Sequence, residues 1–120
     1  MRDKIEISVN IFRPNDNNMH PVIICFHPYG KDILPKKGFF GYKPLLQYRI
    51  MRQTSDIQMS ALTSWESPDP AFWVSHGYAV INGDTRGCGK SSGEKSVLSE
   101  QEAEDYYDLI EWAAKQPWSN

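Results

Sequence analysis

Gly77-Tyr78-Ala79-Val80-Ile81-Asn82-Gly83-Asp84-Thr85-Arg86-Gly87-Cys88-Gly89-Lys90-Ser91-Ser92-Gly93 is the stretch on which the fold turns. The continuous apolar character of residues 78–82 suits a strand covered on both faces. Four glycines among residues 83–93 then make a loop. Just upstream, Asp69-Pro70 offers an N-cap followed by proline at the first helical position, and Gly77 a left-handed stop, which predicts a short helix over 70–76. Downstream, Ser99-Glu100-Gln101-Glu102 is a capping box, and Ala103, Tyr106, Tyr107, Ile110, Ala113 and Ala114 recur at helical spacing. An acidic first turn and Lys115 near the end complement the dipole of that helix, and Pro117 stops it.

Further out, residues 4–12 place Ile5, Ile7, Val9 and Ile11 on one face and Lys4, Glu6, Ser8 and Asn10 on the other, the period of a half-buried strand. Turn formers at 13–18 separate it from Val22-Ile23-Ile24-Cys25-Phe26, a run apolar enough for a strand covered on both faces. His27-Pro28-Tyr29-Gly30 leaves that strand. Residues 31–68 sustain no period, yet Phe39, Phe40, Tyr42, Leu45, Leu46, Tyr48, Ile50 and Met51 are too apolar for a solvated linker. The stretch reads as an irregular excursion that packs, with a short helix near Leu45 to Met51. Strand, strand, helix, strand and helix in this order predict an α/β fold with a partly parallel sheet.

At 120 residues the chain makes one domain, 1–120. Lys and Arg number 13 against 15 Asp and Glu, a net charge of −2. No block of like charge occurs, so neither nucleic acid nor an anionic membrane is an expected partner. The amino terminus holds no apolar stretch of leader length and no run approaches a membrane span, which gives a cytoplasmic reading. Two cysteines, Cys25 and Cys88, are too few for a disulfide framework and lack metal spacing. His20, His27 and His76 are scattered, read as surface or loop residues, and no metal or cofactor is expected. Trp65, Trp73, Trp112 and Trp118 read as core and rim aromatics.

Three catalytic or binding motifs can be laid over residues 83–93. A P-loop requires a glycine where Asp84 stands and a helix beginning at Lys90. A dinucleotide loop would need its third glycine at Ser92, and the capped helix begins too late to face a pyrophosphate. Gly89-Lys90-Ser91-Ser92-Gly93 spells the G-x-S-x-G of a nucleophile elbow, but that elbow joins strand directly to helix. Ser91 instead lies in a long loop, where a serine among glycines satisfies backbone.

Taken together, Asp84-x-Arg86-Gly87-x-Gly89-x-Ser91-x-Gly93 after Gly77-Tyr78-Ala79-Val80, then an acidic helix closing in Ile110-Glu111-Trp112 and Gln116-Pro117-Trp118-Ser119-Asn120, resembles the CocE/NonD family of α/β-hydrolases. This family includes cocaine esterase and X-prolyl dipeptidyl aminopeptidases. Arg13-Pro14, the 22–26 strand and Pro28-Tyr29-Gly30-Lys31 fall where the family has its first strands and its oxyanion tyrosine. The resemblance implies the amino-terminal part of a serine hydrolase sheet, cut before the nucleophile-bearing strand. Cleavage of an ester or amide, including a peptide, through an acyl-enzyme would be its activity. Nucleophile, general base and orienting acid would all lie outside these residues, and Asp84, Arg86 and Ser91 would belong to a structural loop. The strand at 78–82 would lie beside an absent neighbour. The 31–68 excursion is longer than the family leads one to expect there. Tyr29, just past a buried strand, fits either an oxyanion donor or an aromatic cover over the sheet end; the resemblance assigns it the donor role. A non-catalytic α/β module, binding a partner through an open sheet edge, is the alternative.

Overall fold

The computed structural model describes residues 1–39, 41–43, 46–52, 57 and 59–120. Phe40 and Leu45, two of the apolar residues assigned to the excursion, lie outside the described residues.

Strand β5 (Ala79–Asp84) is buried along its whole length and forms the centre of a three-stranded sheet. On one side β1 (Val9–Phe12) runs antiparallel to it, with Val9 opposite Gly83. On the other, β2 (Val22–His27) runs parallel, with Val22 opposite Ala79 and His27 opposite Asp84. The order β1-β5-β2 therefore brings the carboxyl ends of β2 and β5 side by side. Two short elements lie in the excursion: a hairpin of β3 (Lys37–Gly38) and β4 (Gly41–Tyr42), and helix α1 (Leu46–Ile50).

Helix α2 (Pro70–Ser75) starts where Asp69 accepts a hydrogen bond from the Ala71 amide at 3.2 Å, and it stops ahead of Gly77 at φ 84°. Helix α3 (Glu100–Ala114) starts where the Ser99 hydroxyl accepts from the Glu102 amide at 3.1 Å. Its Leu109 and Ala113 pack on Ile81, with Val22, Ile24, Phe26 and Trp118 around them. The structure is thus α/β with a mixed sheet, and the helix start at Asp69-Pro70 and the stop at Gly77 fall where the sequence puts them.

Several expectations are corrected. The strand over 4–12 shortens to Val9–Phe12, because Lys4 turns the chain at φ 68°. Glu6 and Ser8 then bond to the 83–93 loop instead: the Ser92 amide donates to the Glu6 carbonyl at 2.9 Å, and the Ser8 amide to the Ser91 hydroxyl at 2.9 Å. Residues 22–26 are half-buried rather than enclosed, because β2 is an edge strand. The open edge is consequently that of β2 and not that of 78–82, whose strand has a neighbour on both sides.

Helix α3 turns a different face to the sheet than its apolar period suggests. Asp105, Leu109 and Ala113 are buried, whereas Tyr106, Tyr107 and Ile110 are partly exposed. The physical reason is Arg86, whose guanidinium grips the Asp105 carboxylate with two bonds of 2.8 and 2.6 Å and so lets a charged residue occupy the buried stripe. In the excursion, Tyr48 packs edge-on against buried Trp65 at 4.5 Å, but Phe39, Leu46, Ile50 and Met51 stay exposed. Its apolar content is only partly used in packing among the described residues.

Candidate functional site

Pro28 turns the chain off the end of β2, and the next residue, Tyr29, projects from the carboxyl end of the sheet. Its ring lies stacked near His27, with centroids 5.8 Å apart, and meets Trp65 edge-on at 6.3 Å. Two aromatic contacts fix the ring, yet 44% of the residue is exposed. Among the described residues its hydroxyl has no hydrogen-bond partner. The side chain stands between two cavities. One, of about 480 Å³, is lined by Phe26, His27, Glu66, Leu98, Glu102 and Tyr106. The other, of about 320 Å³, is bordered by Asp32, Ile33, Asp84 and Lys90.

His27 is buried, which corrects its reading as a surface or loop histidine; it ends β2 and faces inward to support Tyr29. Its Nδ1 accepts from the Tyr29 amide at 3.2 Å, so the proton sits on Nε2, 3.1 Å from the Ser67 hydroxyl. Burial pushes the His27 pKa down, against weaker opposing pulls from Asp84 and Glu66. The neutral ring therefore suits its place. His20 is likewise buried, between the Gly77 carbonyl at 2.9 Å and Asp16 at 2.8 Å. That contact corrects its surface reading too. His76 is exposed, as expected.

The 83–93 loop closes around buried charge. Arg86, 8% exposed, also binds Asp3 at 2.6 Å, and these partners, Asp105 foremost, raise its pKa further above the ordinary guanidinium value. Asp32, near the loop, is held below the usual carboxylate range by hydrogen bonds from Lys90, Asn10 and Lys31. Ser91 donates its hydroxyl to the Asp84 carbonyl at 2.6 Å and accepts from the Ser8 amide at 2.9 Å. Both contacts are to backbone, and among the described residues no histidine is bonded to it, which is the loop role and not that of an activated nucleophile. Gly89 takes φ 53°, and a Cβ there would overlap the Asp84 carboxylate. Cys25 and Cys88 are free thiols; burial raises the pKa of Cys25, whose Sγ donates to the Glu66 carbonyl at 3.0 Å. Among the described residues no cluster of His, Cys, Asp or Glu could hold a metal ion, and no helix is long and apolar enough to cross a membrane.

The far edge of β2 is occupied at its start by the last residues of the chain. The His20 amide donates to the Trp118 carbonyl at 2.8 Å, the Asn120 amide donates to the His20 carbonyl at 3.2 Å, and Ser119 pairs parallel with His20. The fold has counterparts. The profile of the X-Pro dipeptidyl-peptidase (S15) family matches residues 3–120. The chain belongs to this family. Cocaine esterase from Rhodococcus sp. (strain MB1 Bresler) is 29% identical over 118 residues, covering 98% of this chain and 16% of that protein. A CocE/NonD family hydrolase from Staphylococcus aureus is similar in two crystal structures, at 43% identity with a TM-score of 0.83 and at 42% with 0.82. Each match covers all of this chain and 20% of the solved chain. The chain thus spans a fifth or less of the length of these relatives, and it has the α/β hydrolase fold of that portion.

The loop after β2 and the loop after β5 meet because a parallel pair puts both carboxyl ends on one side, which the order of elements foretold. Trp65 beneath Tyr29 was not foreseen as its support: it comes from an aperiodic segment with no signal of direction. The His27 contact to the Tyr29 amide was readable in principle, since a side-chain acceptor two residues before an amide is a local turn device.

Proposed function

We propose that these residues are the amino-terminal part of a serine hydrolase that cleaves an ester or amide, a peptide included, through an acyl-enzyme. In this reading Tyr29 donates its hydroxyl to the oxyanion, and nucleophile, general base and orienting acid lie outside residues 1–120. The observation that carries it is the tyrosine itself: a ring held by His27 and Trp65, with a hydroxyl that no described residue engages, at the carboxyl end of β2. A donor aimed at developing negative charge must be held still and left unpaired until the reaction, and both conditions suit Tyr29. The open edge of β2 supports the same reading. A strand in parallel register there would end beside Tyr29, where an elbow serine would have to stand.

Labelling the full-length protein with a fluorophosphonate, with the modified peptide located by mass spectrometry, tests the proposal. Hydrolysis of 4-nitrophenyl acetate or of Gly-Pro-4-nitroanilide, with one label per chain on a serine outside residues 1–120, is the expected result. A label on Ser91, or a native protein of 13.8 kDa without hydrolase activity, overturns it. The second of these results would favour the binding module that uses the β2 edge.

A further inference from the structure

Asp84 is the last residue of β5, 1% exposed, and its carboxylate is shared between two loops. Oδ1 accepts from the Lys31 amide at 2.6 Å, and Oδ2 accepts from the Lys90 amide at 3.1 Å. The Lys31 ammonium, itself buried, lies 3.7 Å from Oδ2 and 3.1 Å from Asp32. Lys31 is only two residues beyond Tyr29, in a turn where the Ile33 amide bonds to the Gly30 carbonyl at 3.1 Å. On the other side of Tyr29, its own amide is tied to His27 at 3.2 Å. The short segment bearing the tyrosine is thus pinned once to its own strand and once to the neighbouring strand, and the second pin is a charge-assisted bond to a buried carboxylate.

We propose that Asp84 is a positioning residue for Tyr29: by holding the Lys31 amide, it sets where the Tyr29 hydroxyl stands relative to the reacting carbonyl. This rests on the reading of Tyr29 as the oxyanion donor. Two features of the surroundings serve this contact. The first is Gly89, where any Cβ would displace the carboxylate from the Lys31 amide. The second is the buried Lys31 ammonium, which keeps a negative charge tolerable beneath the loop. Small displacements of a transition-state donor reduce turnover without weakening ground-state binding, so Asp84 should act on kcat and not on KM.

A double-mutant cycle in the full-length protein, with 4-nitrophenyl acetate as substrate, separates this inference from the reading beneath it. Asp84→Asn keeps the size but turns an amide N–H toward one of the two backbone donors. It should lower kcat by about 10-fold or more with KM changed less than about threefold, and in a Tyr29→Phe background it should cost less than about threefold further. If Tyr29→Phe lowers kcat but Asp84→Asn multiplies with it in full, or has no effect alone, the positioning role is wrong and the donor role stands. If Tyr29→Phe leaves kcat unchanged, both fall. Should Asp84→Asn not fold, hydrogen exchange in the unaltered protein decides: the Lys31 amide must be protected as well as those of β5, and exchange at the rate of an open loop overturns the proposal.

Discussion

The 83–93 loop and the 31–68 excursion invert each other's chemistry. The loop is polar by composition, yet it buries Asp84, Thr85 and Arg86 and draws Asp3 and Asp105 into its bonds. The excursion carries the aromatic and aliphatic residues, yet Phe39, Leu46, Ile50 and Met51 are exposed. What separates them is partnership: each buried charge in the loop has a counter-charge or several amides, while in the excursion Tyr48 and Trp65 pack together but much of the rest faces outward. Hydrophobicity does not tell which of the two is the framework. The pairing of buried charge does.

The strongest way to break the contrast is to remove one half of the buried pair. Arg86→Ala leaves the Asp105 carboxylate enclosed without its partner and should destabilise the fold by about 3–5 kcal/mol, read from urea denaturation. Ile50→Ser in the excursion should change stability by no more than about 0.5 kcal/mol. Comparable losses in the two variants would erase the distinction. Between these extremes lies Ser91→Ala, which deletes two hydrogen bonds, one to the Asp84 carbonyl and one that joins the loop to Ser8 before β1. A loss of about 1–3 kcal/mol is expected, with fluorophosphonate labelling of the full-length protein retained in full.

Acid should loosen the β2 end more gently. Because burial lowers the pKa of His27, the folded protein resists a proton that the unfolded chain accepts near pH 6.5. Stability is therefore complete above that value and declines as pH falls below it, and protonation of Nδ1 would also set a donor against the Tyr29 amide. His27→Gln should flatten the fall in Tm between about pH 7.5 and 5.5. A second decline belongs to Asp108, whose pKa is held at about 2 by Arg2. Its contribution persists above its ordinary value of 3.8 and disappears as pH falls toward 2. An unchanged slope in the His27 variant would show that its burial plays no part in the acid response.

Legibility in the sequence followed the range of the interaction. Caps at Asp69 and Ser99, the glycine stop at Gly77 and the apolar run of β5 are local, and each is where its residues put it. The buried face of α3 was misread because Asp105 looks solvent-facing until Arg86, far away in sequence, is placed beside it. The edge position of β2 was equally hidden: strand order is a property of the whole sheet, and an apolar run reads the same at the edge and at the centre. For the candidate site, Tyr29 followed from its position after β2 together with family likeness, but its supports, Trp65 and Asp84, reach it across the fold.

The most direct test of the central claim is the kcat of Tyr29→Phe in the full-length protein, measured with 4-nitrophenyl acetate. The substitution keeps the ring packed against Trp65 and removes only the hydroxyl. A fall in kcat of about 10² to 10³, roughly 2.7 to 4 kcal/mol, with KM nearly unchanged and the fold intact by circular dichroism, is the predicted result. A kcat within about threefold of the unaltered enzyme contradicts the donor role and leaves Tyr29 as a cover over the end of the sheet.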